Sequence, residues 1–434
     1  MSAVRDLWRR RRGRTRTGEG HADALRTATE QAVGLREAGE YGRARALEED
    51  TLAQRRRSLG DDHPDTLQSA LGLMLSLDGL GAREQARALG EDTLRRCRRV
   101  LGAADRLTLT VAINLVRTLA SLGEQQRVRE LAEDNFNRAR DALGADAPAT
   151  LVAAANFVMV LSESGEHRRA CELGEDTLAR RRRLLGPDHY RTLITANALA
   201  LDLGTLGEHA LARSLCEDTL ARAERSLGAD DPDTLVTAYN LASELAALGE
   251  HEQARARFED TLARRRRVLG EDHPGTLDTA VNLARVLASL EQHQRARDTL
   301  EDALARYRRT KGDDHSDTLN AAANLADVTR KLGDYAAARD LDEDTLARRR
   351  RVLGEDHLHT LNTASGLVVS LIRLGDHERA RHLGEDTLAR QRRVLGDGHH
   401  RTLDSANNLA VVLRALGEEQ QADQWVEWIK AQHR

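Results

Sequence analysis

Histidine is the first residue type in this sequence whose spacing suggests chemistry. Seven histidines stand three residues after a recurrent glycine, at His21, His63, His189, His273, His315, His357 and His399. A string of imidazoles suggests a metal site. However, packed helices lie about 8–10 Å apart, whereas two imidazole nitrogens on one zinc ion each lie about 2.0–2.1 Å from it. We therefore interpret these histidines as residues of a loop and a helix start.

Other arrangements that carry catalysis or cofactors are weak or absent. His377 and His382 are five residues apart, about 140° around a helix, so they do not face one metal as histidines four residues apart do. The sequence contains no G-x-x-x-x-G-K-[ST], no G-x-S-x-G and no paired C-x-x-C. We predict no catalytic residue, no metal site and no cofactor.

Charged residues recur in a fixed order along the chain. A Glu-Asp pair such as Glu259-Asp260 precedes a run of four arginines such as Arg264 to Arg267. Asp260 stands four residues before Arg264, a spacing that gives a helical ion pair worth about 0.2–0.5 kcal/mol. The run covers about 300° of a helix, so it is not a one-sided basic stripe. We interpret it as solvated inter-repeat ion pairs and compensation of the helix dipole, with an acid–base pair as the less favoured alternative.

A period of 42 residues organises the elements that must position these side chains. Ten glycines recur at this spacing without insertion or deletion, and a leucine follows each by seven residues. They define ten units, starting at residues 18, 60, 102, 144, 186, 228, 270, 312, 354 and 396. Such self-similarity indicates a repeat protein in which each unit contacts only its neighbours.

Each unit encodes two helices, A and B. In the unit that starts at Gly270, Leu277, Ala280, Leu283 and Leu287 lie on one stripe of a 3.6-residue helix. Four prolines occupy the first turn of helix A, where a missing N–H costs nothing: Pro64, Pro148, Pro232 and Pro274. A second recurrent glycine is placed to end helix A in the left-handed conformation, and only Glu291 breaks that series. Neither helix buries its stripe alone, so the sequence predicts an all-α solenoid.

Composition sets further limits. The 434 residues are 31% charged and only 3% aromatic, and no stretch approaches 18 consecutive apolar residues, so we predict no membrane insertion. Three cysteines (Cys97, Cys171 and Cys216) make no disulfide framework and favour a reducing, cytoplasmic location.

The amino-terminal residues 1–17 differ from the repeats. They hold seven arginines against Asp6, a formal charge of +6, although the whole chain has a net charge of −4. We predict a disordered arm that is either solubilising or touches an acidic partner, RNA, DNA or an anionic membrane surface. The arm lacks the apolar segment of a secretory signal. Residues 18–434 are predicted to form a single array.

One segment shows which repeat family the units resemble. Leu241-Ala242 is followed by Leu245, then Gly249, then Ala254. This pattern resembles the tetratricopeptide signature, and the 42-residue period with L-G-x-D-H-P-x-T-L and N-L-A resembles the kinesin light chain type of this repeat, which is widespread in bacteria. The resemblance covers residues 18–434. It implies a right-handed superhelix whose A helices line a concave groove for extended peptides or partner proteins. An aliphatic residue stands where a helix A tyrosine is usual, which leaves fewer aromatic anchors.

An asparagine stands beside the core leucine of helix A in six units: Asn114, Asn156, Asn240, Asn282, Asn324 and Asn408. The resemblance implies that this position matches the groove asparagine that holds the backbone of a bound peptide. An amide offers both a donor and an acceptor, without regard to peptide sequence. The alternative, which stays open, is a structural asparagine that bonds to the neighbouring A helix.

Charged residues near these asparagines suggest what the groove binds. Three residues after an asparagine stand Arg117 and Arg285, and the C-terminal units carry Arg330, Lys331, Arg373 and Arg414 late in helix A. We predict that Asn282, Arg285, Asn324, Arg330 and Lys331 receive an acidic segment or one that bears a terminal carboxylate. The alternative is that these charges are solvated surface.

The last unit carries two tryptophans. Trp425 replaces a core leucine, and Trp428 takes a position that is aspartate in the other nine units. We predict that they cap the array, with docking or self-association as the alternative.

Together these observations predict a non-enzymatic scaffold or adaptor that binds a protein or peptide along its concave face, in a bacterial regulatory system. Two other functions stay open at this point. One is a module that self-associates through the array ends, and the other is nucleic-acid binding through the arginine arm.

Overall fold

The structure is a computed structural model that describes residues 23–432. These residues form twenty α-helices and contain no strand. Helix α1 covers residues 23–37, and the others are Tyr41–Leu59 (α2), Pro64–Gly79 (α3), Arg83–Val100 (α4), Arg106–Ser121 (α5), Gln125–Leu143 (α6), Pro148–Glu163 (α7), His167–Leu185 (α8), Tyr190–Thr205 (α9), His209–Ser226 (α10), Pro232–Ala247 (α11), His251–Leu269 (α12), Pro274–Ser289 (α13), His293–Lys311 (α14), Ser316–Lys331 (α15), Tyr335–Leu353 (α16), Leu358–Leu374 (α17), His377–Leu395 (α18), His400–Ala415 (α19) and Glu419–Gln432 (α20). The predicted pair of helices per unit is confirmed: the odd-numbered helices are the A helices and the even-numbered ones the B helices.

The A helices begin where the sequence predicts. The four recurrent prolines are the first residues of α3, α7, α11 and α13. The recurrent histidine directly precedes the helix, and its Nδ1 accepts a hydrogen bond from the backbone N–H two residues later, as from Gly275 to His273 at 3.1 Å. The interpretation as helix-start residues is confirmed for the six of these histidines from His63 onward, which the structure identifies as N-caps, and His21 lies outside the described residues.

The A helices end at the second recurrent glycine. These glycines have φ between 75° and 85°, in the left-handed region that favours glycine. Glu291, which stands where the series has its exception, keeps the same backbone with φ of 59°. Among residues 23–432 it is the one non-glycine with positive φ, so the turn geometry overrides the residue preference.

The arginine runs at the ends of the B helices are largely paired. In α12, Arg264 and Arg267 both reach Asp230 in the loop before α11, at 3.5 and 2.6 Å, and Arg266 approaches Asp302 of the next B helix at 3.8 Å. The loop aspartates that take the same role elsewhere are Asp62, Asp146, Asp272, Asp314 and Asp356. The predicted inter-repeat ion pairs are therefore confirmed for these arginines.

The second arginine of a run behaves differently, and for it the prediction of a solvated charge is wrong. Arg265 is 5% exposed and donates to the carbonyls of Leu235 and Gly275, at 3.0 and 2.7 Å, and to the Thr279 hydroxyl at 2.8 Å. Arg55, Arg181 and Arg349 make bonds at the same sequence offsets. This position lies three residues after a core leucine and so falls on the inner side of the helix.

The described residues divide into two compact units, one ending at Glu208 and the other beginning at His209. Within each unit, consecutive helices pack together and A helices contact the next A helix. One core cluster of the second unit joins Leu346 of α16, Leu367 and Leu371 of α17 and Val412 of α19, so the core continues from repeat to repeat as predicted. The single array and the right-handed superhelix stay predictions.

Candidate functional site

The second unit holds a cleft of about 680 Å³ on its A helices. Four of the residues predicted from the sequence line it, namely Asn282, Arg285, Asn324 and Arg330. Lys331 lines an adjoining cleft of about 490 Å³ that shares Asn282 and Asn324 with the first. The A helices therefore bring the predicted cluster of the second unit together at one concave feature.

The remaining predicted residues lie outside this cleft. Asn114, Arg117 and Asn156 belong to the first unit, on α5 and α7. Asn240 and Asn408 lie half-buried on α11 and α19. Arg373 is exposed, and its guanidinium lies 5.5 Å from the centroid of the Tyr335 ring.

The asparagines of the A helices are half-buried, and several use one amide donor within their own helix. The Nδ2 atoms of Asn114, Asn156 and Asn282 donate to the carbonyl four residues earlier, at 2.8, 3.0 and 3.0 Å. A carboxamide has two N–H groups and one oxygen, so the bond leaves a donor and an acceptor for other partners.

The remaining donor and acceptor of Asn282 bind other side chains of the protein. Its Nδ2 donates to the Tyr239 hydroxyl on α11 at 2.8 Å, and its Oδ1 accepts from Arg285 at 3.2 Å. The bond to a neighbouring A helix that the structural alternative requires is thus present at Asn282. Within residues 23–432, the side chains of Asn240, Asn324 and Asn408 have no such partner.

Arg330 and Lys331 already have carboxylate partners. Arg330 forms an ion pair with Asp342 of α16, whose side chain is 2% exposed, and lies 3.5 Å from Asp327. Lys331 also approaches Asp327, at 3.5 Å. Burial raises the pKa of Asp342 to about 6, although Arg330 acts in the opposite direction. The positive charge that the sequence assigns to a ligand here is largely neutralised by the protein.

A tyrosine–aspartate contact lies in another part of the cleft lining. The Tyr307 hydroxyl of α14 donates to Asp278 of α13. Burial, together with this hydrogen bond, raises the pKa of Tyr307. The phenol therefore stays protonated and holds the carboxylate in place.

Arg349 is a charged residue of the cleft whose hydrogen bonds go only to neutral groups. It is 3% exposed and donates to the carbonyls of Leu319 and His359, at 3.1 and 2.9 Å, and to Thr363 Oγ1 at 2.6 Å. It also donates to Asn320 Oδ1 at 2.7 Å. Burial lowers the pKa of Arg349 to about 10, which still leaves it charged at neutral pH.

Sequence reasoning missed Asp278, Tyr307, Asn320 and Arg349, although one signal for the cleft was present. The residue eight positions after the repeat glycine is polar in the last four units, as Asp278, Asn320, Asn362 and Asp404. In the four preceding units it is Thr110, Val152, Ile194 and Val236. Comparison of the units at this position separates the A helices of the last four units, where the residue is polar, from α7, α9 and α11, where it is apolar.

The two C-terminal tryptophans pack against the last core cluster. Trp425 and Trp428 are half-buried beside Leu388, Leu409 and Leu413. The guanidinium of Arg392 lies 6.0 and 5.0 Å from the two ring centroids. This arrangement is the one that a capping role requires, and self-association through this end stays a prediction.

Three other features bear on function. Within residues 23–432, no helix is both long and apolar enough to cross a membrane. In the same residues, no three His, Cys, Asp or Glu side chains are grouped to hold a metal ion. The predicted basic arm, residues 1–17, lies outside the described residues.

Comparison with known proteins gives a consistent family. Models described as tetratricopeptide repeat match residues 27–65 and 66–106 and, in overlapping segments, residues 150–215, 195–266, 245–309, 282–350, 317–391 and 363–429. No curated protein sequence matches the chain.

Several solved structures are similar to this chain. The apo form of the quorum sensor NprR from Bacillus thuringiensis has 13% identity and a TM-score of 0.61, covering 85% of this chain and 99% of that chain. A Rap protein complexed with Competence and Sporulation Factor has 13% identity and a TM-score of 0.51, covering 85% and 98%. A putative kinesin light chain with nearly identical TPR-like repeats from Podospora anserina has 25% identity and a TM-score of 0.43, covering 47% and 96%.

Proposed function

Because this chain belongs to the tetratricopeptide repeat family, we propose that it is a non-enzymatic scaffold that binds a protein or peptide in the cleft of its second unit. The ligand segment lies across the A helices α13, α15 and α17. Asn282, Arg285, Asn324 and Arg330 form part of its walls. A cleft of about 680 Å³ has room for several side chains of a ligand, so a short extended segment is a suitable occupant.

The observation that carries this proposal is the pair Asn324 and Asn362. Both amides are half-buried and line the cleft, and among the described residues neither has a hydrogen-bond partner. Half-buried amides without partners are suited to a ligand that offers both N–H and C=O groups, which is what an extended peptide backbone does.

The similar structures support the general class of function. The Rap protein was solved in complex with Competence and Sporulation Factor, and its TM-score to this chain is 0.51. We propose that the same fold binds a ligand in this chain. We also propose that the chain acts as a cytoplasmic sensor or adaptor in a bacterial regulatory system and that its ligand is acidic. Support for the reducing location comes from Cys97, Cys171 and Cys216, which are free and buried.

A peptide-library selection tests the proposal. The full chain is immobilised, a displayed library of random twelve-residue peptides is applied, and affinities of enriched peptides are measured by fluorescence anisotropy. The double variant Asn324→Ala/Asn362→Ala should bind these peptides at least about tenfold more weakly, since two hydrogen bonds are lost.

The matched control is Gln294→Ala, which removes an exposed amide of α14 that binds Asp298 and does not line the cleft. This variant should bind like the wild type, and circular dichroism should give the same helix content for all three proteins. Absence of any enriched peptide, or equal affinity of the double variant, would overturn the proposal.

A further inference from the structure

Three arginines that line the cleft, Arg285, Arg349 and Arg401, have no carboxylate at ion-pair distance within the described residues, and two of them, Arg349 and Arg401, act electrostatically on His359 of α17. Arg349 uses its N–H groups on carbonyl, hydroxyl and amide oxygens. Arg401, in the first turn of α19, is exposed and lines the same cleft, and Asp404 on the same helix makes no ion pair with it. Arginine is charged at neutral pH. Burial lowers the pKa of Arg349 and the charge of Asp342 acts in the opposite direction, whereas Arg401 forms no ion pair with a carboxylate of the described residues.

The carboxylates of the cleft have partners elsewhere. Asp342 and Asp327 share Arg330. Asp317 binds Lys311 at 2.5 Å. Asp278 accepts from Tyr307. The exposed guanidinium groups of Arg285 on α13 and Arg401 on α19 are therefore left without a carboxylate partner among the described residues of the lining.

Neutral hydrogen-bonding groups surround Arg349 and Arg401. His359, on α17 between them in the lining, has its pKa lowered by burial and then by the charges of Arg349, His357 and Arg401. The ring is therefore neutral at pH 7 and keeps one N–H donor. Asn362 of the same helix adds an amide without a partner. The Nη N–H groups of Arg349 are already bonded, so it would act on an oxyanion here through its charge, and Arg401, His359 and Asn362 would supply hydrogen-bond donors.

We propose that this part of the cleft, formed by Arg349, His359, Asn362 and Arg401, binds a phosphate monoester carried by the peptide ligand. This inference rests on the proposed function and specifies the chemical class of the ligand. Arg349 and Arg401 both act electrostatically on His359, and two guanidinium charges near one place favour a group with two negative charges. A phosphate monoester has a charge of about −1.5 to −2 at pH 7 and three acceptor oxygens, whereas a carboxylate brings one charge and two oxygens.

Three pools of degenerate nine-residue peptides test the inference, with phosphoserine, glutamate or serine at the central position. Binding to the full chain is measured by fluorescence anisotropy at constant ionic strength. The phosphoserine pool should bind at least about tenfold more tightly than the serine pool and more tightly than the glutamate pool. Inorganic phosphate, compared with chloride at the same ionic strength, should compete with it.

The test variant is Arg401→Gln, an exposed position whose change leaves the core intact. It should abolish the advantage of phosphoserine over serine while retaining binding of the serine pool. The matched control is Arg393→Gln, which removes an equally exposed arginine that pairs with Asp356 at 2.6 Å outside the cleft and should leave all three pools unaffected.

The outcomes separate the two levels of the proposal. If no pool binds the wild-type protein, the proposed peptide-binding function fails. If pools bind but glutamate equals phosphoserine, or Arg401→Gln keeps the preference, the phosphate site is wrong and the peptide function stands. The phosphate site is supported if inorganic phosphate competes for the wild-type protein and does not compete for Arg401→Gln. A lack of competition with the wild-type protein counts against the site.

Discussion

The guanidinium group of Arg330 occupies the space where a side chain at Gly366 would begin. A Cβ atom at Gly366 would lie 2.9 Å from Arg330 Nη2. The same relationship recurs in the first unit, where a Cβ at Gly72 would lie 2.7 Å from Glu48 Oε1, and Glu48 forms an ion pair with Arg36. Gly72 and Gly366 stand at the position that is asparagine in six other units. At these two of the four interruptions of the asparagine series, the preceding repeat holds a buried ion pair.

This relationship predicts an unusual response to alanine. Gly366→Ala should lower the free energy of unfolding by about 1–3 kcal/mol, because displacement of Arg330 leaves the buried Asp342 unpaired. Gly384→Ala in helix α18 is the matched control. The nearest atoms to its new Cβ lie 3.8 Å away, so helix propensity should stabilise the protein by up to about 1 kcal/mol. Urea unfolding followed by circular dichroism measures both changes.

A second background checks the cause. Ala288 and Leu300 occupy the positions of Arg330 and Asp342 one repeat earlier. In the double variant Arg330→Ala/Asp342→Leu, the change Gly366→Ala should become neutral or stabilising. Destabilisation of the same size in both backgrounds would exclude the ion pair as the reason for glycine.

Two arginines of one run should differ sharply in their effect on stability. Arg265→Met should cost about 2–4 kcal/mol, because three buried oxygens lose a charged donor. Arg267→Gln removes a solvent-exposed pair with Asp230 and should cost less than about 1 kcal/mol. High salt should reduce the second effect and leave the first nearly unchanged. Urea unfolding at low and high sodium chloride tests this, and equal costs would contradict the assigned roles.

The raised pKa of Asp342 predicts that the free energy of unfolding falls as pH rises. Its native pKa is raised to about 6 by burial, whereas an unfolded aspartate titrates near 3.9. Between these values the native state holds a proton that the unfolded chain has released, so the contribution to stability is full below about pH 4 and is lost as pH rises through about 6. The loss is on the order of 3 kcal/mol.

The measurement compares wild type with Asp342→Asn, which does not titrate, by urea unfolding at several pH values from 4 to 7. The stability of the wild type relative to the variant should decrease with pH. A difference that stays constant or increases would show that burial does not dominate at this carboxylate.

Replacement of Glu291 by glycine should raise the free energy of unfolding. Its φ of 59° lies in a region where non-glycine residues pay about 1 kcal/mol, so Glu291→Gly should stabilise the second unit by roughly that amount. The reverse change at the equivalent turn, Gly333→Glu, should destabilise by a similar amount, since Gly333 has φ of 85°. Thermal unfolding of the two variants gives the comparison, and changes of the same sign would refute it.

The repeat period accounts for how much of the fold the sequence predicted. Pro274 and the glycine series place helix starts and ends because they act through local backbone conformation, which depends on few neighbours. A periodic stripe likewise fixes the side of the helix on which Asn282 and Asn324 lie, and both line the cleft, while their role in ligand binding stays a prediction.

Interactions between helices limited the prediction of the site. The charge of Arg330 is matched by Asp342, which lies on another helix, and no local pattern reports that contact. Arg265 stands in a run of four arginines, and only its position three residues after Leu262 distinguishes this buried arginine from its neighbours. The cleft itself depends on which side chains of adjacent A helices remain without partners, and this requires the packed structure.

The buried arginines also bear on how such a chain can change length over generations. Each binds a carbonyl thirty residues earlier and a hydroxyl fourteen residues later, as Arg265 binds Leu235 and Thr279. A recombination event that removes or duplicates 42 residues within the second unit leaves these offsets unaltered on both sides of the junction, whereas a length that is not a multiple of 42 breaks them. The array is thus able to gain or lose ligand-binding surface one whole helix pair at a time.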